Sequence, residues 1–310
     1  MSSTANGKPE TVLITGGTDG LGRATAILFA SEGYRVFAAA RNAEKRAALE
    51  QLAEEKSLAL ETVELDVTSD SSADRAIAEV QRRAGPVDIL VNNAGIAIVA
   101  AMEEISLDDL RKQFETNVFG AVRMAKRVLP LMRERRRGCI VNMSSVAGLV
   151  SNPLFGPYAG SKHALEGITD ALRFELFPFG IRVVLIEPGY IPTNMERAAT
   201  ELSSVYSKSP ESPYGGIYAS FLEEWKRGAS KSRYTPGDCA HVVLRAVRAA
   251  RPKARYGVTR TATFVKLARR VLPDRMLDSM VIHAFRLDKL RDQLSNAALR
   301  RPTQTAVREQ

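Results

Sequence analysis

Tyr158 and Lys162 stand four residues apart in GPYAGSKHALEG (156–167), a stretch that reads as a helix opened by Pro157. Residues at i and i+4 share a helix face, and proline suits the first helical turn, where its missing N–H costs nothing. The spacing brings a phenol beside an ammonium. A free tyrosine titrates near about 10, too high for efficient proton exchange at neutral pH, and a neighbouring cation favours the phenolate. Such a pair can act as acid and base toward an alcohol or a carbonyl. Taken alone it is as readily a solvated surface pair, because Tyr-x-x-x-Lys arises often by chance.

A second chemical feature is TGGTDGLG (15–22). Gly16, Gly20 and Gly22 permit a tight turn and close backbone approach to a pyrophosphate. The helix that follows offers free N–H groups and a positive dipole end. Glycines also serve ordinary turns. The position of this loop, between the β-branched run TVLIT and a helical pattern beginning at Leu21, makes the phosphate-loop reading much stronger.

Positioning these groups requires a frame, and the chain alternates strand-like and helix-like runs. YRVFAAAR (34–41), LETVELDV (60–67), VDILVNNAG (87–95), GCIVNMSS (138–145), IRVVLIEPG (181–189) and ARYGV (254–258) read as strands. Helical patterns fall between them, including 43–56, 70–84 and one long helix over about 107–135. Alternation of this kind predicts an α/β fold, a single Rossmann-type domain with a doubly wound parallel sheet. We assign that domain to 11–258, with a helical substrate lid at about 193–236 that is loop-like around SKSPESPYGG. A C-terminal helical extension is expected over 259–300, with flexible tails at 1–10 and 301–310. In the extension, Phe264, Leu267, Val271, Leu277, Val281 and Phe285 recur at helical spacings, and Pro273 opens a second helix.

Composition narrows the classes. The chain has 310 residues, 45% of them apolar, which suffices for a large core. The formal charge of +9 is diffuse apart from RERRRG (133–138) and the segment 266–301, and no nucleic-acid motif accompanies it. No run approaches a membrane span, so a soluble, cytoplasmic protein is expected. Cys139 and Cys239 form no redox motif, and the three histidines are scattered, so no metal site is expected. Cys139 reads as an inert core thiol.

The loop spacing is Gly-x-x-x-Gly-x-Gly. With Thr15 before it, it resembles the signature of the classical short-chain dehydrogenases/reductases. NNAG (92–95), Asn117, the Ser144–Ser145 pair, Tyr158-x-x-x-Lys162 and PGYIPT (188–193) follow in the family's order across about 11–258. The resemblance implies a nicotinamide-dependent oxidoreductase with Asn117, Ser145, Tyr158 and Lys162 as its catalytic residues. Tyr158 gives or takes the proton, and hydride passes between nicotinamide and substrate carbon. Lys162 also bonds the nicotinamide ribose, Ser145 holds the substrate oxygen, and Asn117 anchors a water relay. It further implies cofactor contacts from Gly16, Thr18, Asp19, Gly20, Leu21, Gly22, Asp66, Val67, Asn93, Ala94, Gly95, Pro188, Gly189, Ile191 and Thr193, as well as from Tyr158 and Lys162. Asn92 is expected to tie strands together instead.

In dinucleotide folds an acid at the end of the second strand binds the ribose 2′-hydroxyl of NAD. Here Ala40 stands in its place and Arg41 follows, so NADP(H) is expected over NAD(H), with Arg41 on the 2′-phosphate. Asp19 argues mildly against this. The stretch LFPFGIRVVLIEPG and the chain length resemble the 17β-hydroxysteroid and retinol dehydrogenase branch. Ile96, Val99, Val146, Leu154 and Tyr190 are expected to line a site for a hydrophobic alcohol or carbonyl. A non-catalytic NADP-binding regulator is the competing reading, though it would be expected to lose Ser145, Tyr158 or Lys162. A sugar epimerase favours another glycine spacing. A homo-oligomer is expected, and packing of 261–294 on its own domain or a second subunit is preferred to peripheral membrane contact.

Overall fold

A computed structural model describes residues 8–299. The elements in order are β1 (Thr11–Thr15), α1 (Gly20–Ser31), β2 (Arg35–Ala40), α2 (Ala43–Glu55), β3 (Leu60–Glu64), α3 (Asp70–Ala84), β4 (Ile89–Asn92), α4 (Leu107–Phe114), α5 (Gly120–Glu134), β5 (Gly138–Met143), α6 (Gly156–Leu176), β6 (Ile181–Glu187), α7 (Met195–Leu202), α8 (Ser204–Ser207), α9 (Gly215–Lys231), α10 (Pro236–Arg248), β7 (Arg255–Gly257), α11 (Arg260–Val271), α12 (Asp274–Ala284) and α13 (Leu287–Leu299). The expected tails at 1–7 and 301–310, and residue 300 of the extension, lie outside the described residues. Residues 8–10 are not a free tail, because the Glu10 carbonyl accepts from Arg35 N at 3.0 Å.

The strands form one parallel sheet in the order β3-β2-β1-β4-β5-β6-β7. Strand direction of growth reverses between β1 and β4. That is the switch point at which doubly wound sheets open a crevice beyond their strand ends. Apolar residues on both faces of each strand feed two cores. Val12 and Ile14 of β1, with Cys139 and Val141 of β5, pack under α1, α2 and α10. Leu13 and Ile140 point the other way, onto α3 and α5. Cys139 is fully buried, and burial pushes its thiol up to about 11, as an inert core thiol requires.

Two expectations need correction. The helix over 107–135 is interrupted by a π-turn at Glu115–Phe119, the kind of local widening that re-aims side chains near functional sites. The expected helical lid is present: α7, α8 and α9 occupy it, with irregular backbone near KSPESPY and at 232–235. It is tied down by tyrosines. The Tyr206 hydroxyl donates to Asp109 at 2.6 Å, and that of Tyr218 donates to Glu104 at 2.8 Å and accepts from Ala101 N at 3.0 Å. Finally, the apolar residues of the extension do not share one packed face. Phe285 is buried, whereas Phe264, Leu267 and Val271 are exposed, because α11 lays its small residues Ala262 and Ala268 on the domain. No described helix is long and apolar enough to cross a membrane. Among the described residues no group of three or more His, Cys, Asp or Glu could hold a metal.

Candidate active site

The glycine loop sits where β1 meets α1, at the switch point. Gly16 and Gly20 have φ of +63° and +48°, which side chains disfavour. A Cβ on Gly22 would lie 2.2 Å from the Gly16 carbonyl oxygen and 2.4 Å from Asn93 Nδ2. Asn93 braces this turn, donating from Nδ2 to Thr15 O at 2.9 Å and Gly16 O at 3.1 Å, while Asn93 N and Ala94 N donate to Thr15 Oγ1. Its side chain therefore holds the loop rather than pointing at a ribose. Thr193 lies against Gly20 from the far side, and Thr18 is buried in the turn. Asp19 caps α1, accepting from Gly20 N at 2.7 Å. The result is a glycine turn opening α1, which fits a pyrophosphate at a helix N-terminus.

Two cations stand at the end of β2. Arg41 is exposed, its guanidinium 3.7 Å from the Asp66 carboxylate. Lys45, on the first turn of α2, is paired with Asp19. Burial works to raise the Asp19 carboxyl, but bonds from Lys45, Asn194 and Gly20 N outweigh it and hold the group below the usual range. Asp66 also accepts from Thr68 N and Thr68 Oγ1, a turn role. The Val67 side chain is core, packed against Gly120, and Leu21 and Ile191 also pack on the core.

Ser145, Tyr158 and Lys162 converge. Ser145 ends the β5 segment and caps a short 3-10 turn, accepting from Ala147 N at 3.1 Å. Its hydroxyl lies close enough to that of Tyr158 to favour the phenolate. Ser144 points away, buried beside Gly148 and Glu166. Lys162 Nζ donates to Met143 O at 2.8 Å and lies 5.6 Å from the centre of the Tyr158 ring. Asn117 projects from the π-turn: its Oδ1 accepts from Ile96 N at 2.9 Å, and its Nδ2 donates to Ile96 O and to Ser161 Oγ, each at 3.0 Å. A Cβ on Gly95 would be 3.3 Å from Asn117 Oδ1 and 3.8 Å from Lys162 Nζ. Asn92 does tie strands, donating to Asn142 Oδ1 at 2.9 Å.

The charge argument expects a lowered tyrosine, and the structure without nucleotide gives the reverse. Burial pushes Tyr158 up to about 12, against the Ser145 hydroxyl, which lowers it. Burial likewise lowers Lys162 to about 8, though Glu166 works to raise it. Desolvation wins because both groups are buried and the ammonium is turned to a neutral carbonyl.

That burial has a stability consequence. Below pH 8 Lys162 is charged in both folded and unfolded chains, and its depressed folded value costs about 3 kcal/mol; the cost fades as pH rises from 8 toward 10.5. Lys162→Met should thus stabilise the nucleotide-free protein at pH 7 by about 2 kcal/mol, after the lost bond to Met143 O is subtracted. Urea unfolding at pH 7 and pH 10 checks this. An equal gain at both values would show that the buried charge is not the source.

Above Tyr158 lies an aromatic roof that the sequence reading did not identify. The Phe155 ring is 4.9 Å from that of Tyr158, and Trp225 meets Phe155 edge-on at 5.6 Å. Phe221 joins both and stacks on Phe285 at 6.2 Å. Val99 and Leu154 belong to this cluster, Val146 is half-buried on the turn after Ser145, and Tyr190 bonds Glu196. Ile96 packs elsewhere, with Ile98, Ala100 and Ile105. The signal available was one tryptophan in IYASFLEEWKRG, four residues after Phe221; nothing local linked it to Phe155.

Residues 10–203 match the family pattern described as short chain dehydrogenase. The chain is 34% identical over 274 residues to an NADPH-dependent 3-dehydrocapnine reductase of Ornithobacterium rhinotracheale, covering 86% of this chain and 94% of that one. It is 37% identical over 256 residues to retinol dehydrogenase 8 of Bos taurus, covering 80% of each. A solved short-chain dehydrogenase from Streptomyces avermitilis superposes with a TM-score of 0.74 at 30% identity, covering 95% of this chain and 100% of that one. Family agreement over more than half its length, with a superposable fold, means that this chain belongs to the classical short-chain dehydrogenases/reductases, oxidoreductases of alcohol and carbonyl groups.

Proposed function

We propose that the protein interconverts a hydrophobic alcohol and its ketone or aldehyde with NADP(H). The observation that carries this reading is the convergence of the half-buried Ser145 and the buried Tyr158 hydroxyls beside the Phe155, Phe221 and Trp225 cluster. An apolar enclosure with two convergent hydroxyls suits a substrate that is apolar except for one oxygen. The glycine turn around Gly16, Gly20 and Gly22 fits the pyrophosphate. Ala40 and Arg41 favour a 2′-phosphate over a free hydroxyl, and the NADPH dependence of the capnine-pathway relative is consistent with that.

Bound nicotinamide supplies or accepts the hydride. Ser145 Oγ holds the substrate oxygen and stabilises charge that develops there. Tyr158, held protonated by burial, gives its proton to that oxygen during reduction and takes one back during oxidation. Lys162 keeps a positive charge beside the phenol and has Nζ within reach of the Gly95 backbone, where a ribose would lie. Asn117 fixes the Ile96 main chain and Ser161, so that Gly95 and Lys162 keep their spacing. In the same proposal Leu107, Phe119 and Phe174, each more than half exposed, supply apolar surface for a homo-oligomer.

The test is a series of carbonyls of increasing apolar size, followed by NADPH absorbance. We expect kcat/KM to rise by about fourfold for each methylene that becomes buried, and Trp225→Ala to flatten that rise. A flat series, or preference for a small polar carbonyl, would refute the substrate class while leaving the reaction type intact.

A further inference from the structure

The extension after β7 carries a surface unlike the rest of the molecule. On α11, Phe264, Leu267 and Val271 are 56%, 62% and 66% exposed. They stand at i, i+3 and i+7, one stripe on the outer side of the helix. Arg260, four residues before Phe264, and Arg270, three after Leu267, belong to the same side. Arg275 follows at the start of α12, whose Met276 and Met280 are also exposed. Neighbouring cations are neutralised: Lys266 pairs with Glu187, and Arg269 with Asp274. Arg260, Arg270 and Arg275 have no carboxylate partner among the described residues.

We propose that this outer face of α11, continued by the start of α12, docks on the surface of an anionic membrane. A stripe of apolar side chains rimmed by unpaired guanidinia is what an interfacial helix presents. The apolar groups enter the acyl boundary while the long basic side chains reach the headgroups. Intramolecular packing does not account for it, because the stripe faces solvent. A second copy is a poor occupant. A two-fold contact would set the stripe against itself and bring arginines toward arginines. A nucleic acid would satisfy the arginines and leave Phe264, Leu267 and Val271 in water.

The placement has a consequence for access. α12 leads directly into Phe285, which stacks on Phe221 in the roof over Tyr158. The docked helices are therefore continuous with the lid, and a lipid-dissolved substrate would meet the protein beside its own roof. Docking itself does not depend on the substrate proposed above, and its test reads binding alone.

Full-length protein is sedimented with vesicles of phosphatidylcholine alone and with vesicles containing phosphatidylglycerol. The wild type should pellet with the second kind and be released at about 0.5 M salt. Each of Arg260→Gln, Arg270→Gln and Arg275→Gln should weaken partition by about fivefold. Phe264→Ser with Leu267→Ser should weaken it by roughly tenfold or more. All substitutions are at exposed positions, and thermal melting checks that they fold. The wild-type comparison between vesicle types needs no variant. Wild type remaining in the supernatant with both vesicles would overturn the proposal, as would variants that pellet as it does. So would an oligomer that Phe264→Ser with Leu267→Ser dissociates while vesicles capture nothing, which would give the face to a second copy.

Discussion

Tyr158→Phe should lower kcat by about a hundred- to ten-thousand-fold, the range a positioned proton donor contributes, while NADPH affinity changes little. The phenol lies beside the Ser145 hydroxyl and is buried against the aromatic cluster. Phenylalanine keeps the ring against Phe155, so packing survives and the proton alone is lost. Rates with and without the substitution, together with NADPH fluorescence titration, separate chemistry from binding. A variant with near-normal turnover would remove Tyr158 from the role. The direction of the pH effect adds a second check. Burial holds the phenol protonated up to about 12 without nucleotide, so reduction should not be limited by loss of that proton at neutral pH. Oxidation needs the phenolate and should quicken as pH rises. Lys162→Ala should then damage oxidation more than reduction, because it removes the cation that favours the phenolate.

The frame was legible because its signals are local. Strand alternation and the β1–loop–α1 sequence place the sheet and the phosphate cradle within a few residues of where they lie. α3 begins at Asp70, where Ser69 caps it by accepting from Ser72 N. The choice of Ser145 over Ser144 rests on the family resemblance; the structure puts Ser145 beside Tyr158 and Ser144 beside Gly148 and Glu166. What could not be read depends on distant contacts. Phe155 and Trp225 lie seventy residues apart in sequence, and only the fold of the lid brings their rings together. In the extension the helical period was visible, but not which face the domain would cover. Two alanines of α11 were buried in place of its larger apolar residues, since Lys266 must reach the fully buried Glu187. The desolvation of Tyr158 was not legible for a similar reason: a neighbouring cation can be counted from spacing, but desolvation requires the surrounding structure.

Cofactor choice should turn on two adjacent residues. Arg41→Ala should weaken NADPH by about ten- to hundredfold, the loss of one or two charge-assisted bonds, and leave NADH nearly unchanged because it carries no 2′-phosphate. The structure sharpens the expectation. Arg41 is exposed and leans to Asp66 at 3.7 Å, so it has no buried partner to abandon when it turns to a phosphate. Removing it also leaves the Asp66 carboxylate uncompensated near the same place, which adds repulsion toward the phosphate. Asp19, the residue that argues against NADP(H), is already paired with Lys45 and bonded by Asn194, so its charge is largely neutralised. Ala40→Asp should act in the opposite sense for the two cofactors, repelling the 2′-phosphate and offering a carboxylate to the free ribose of NADH. kcat/KM for both cofactors in wild type and the two variants decides the matter. If wild type prefers NADH, or if Arg41→Ala weakens both cofactors equally, the guanidinium does not read the phosphate. The selecting charge would then be sought in the Asp19–Lys45 pair, where Lys45→Ala would free the carboxylate to exclude NADPH.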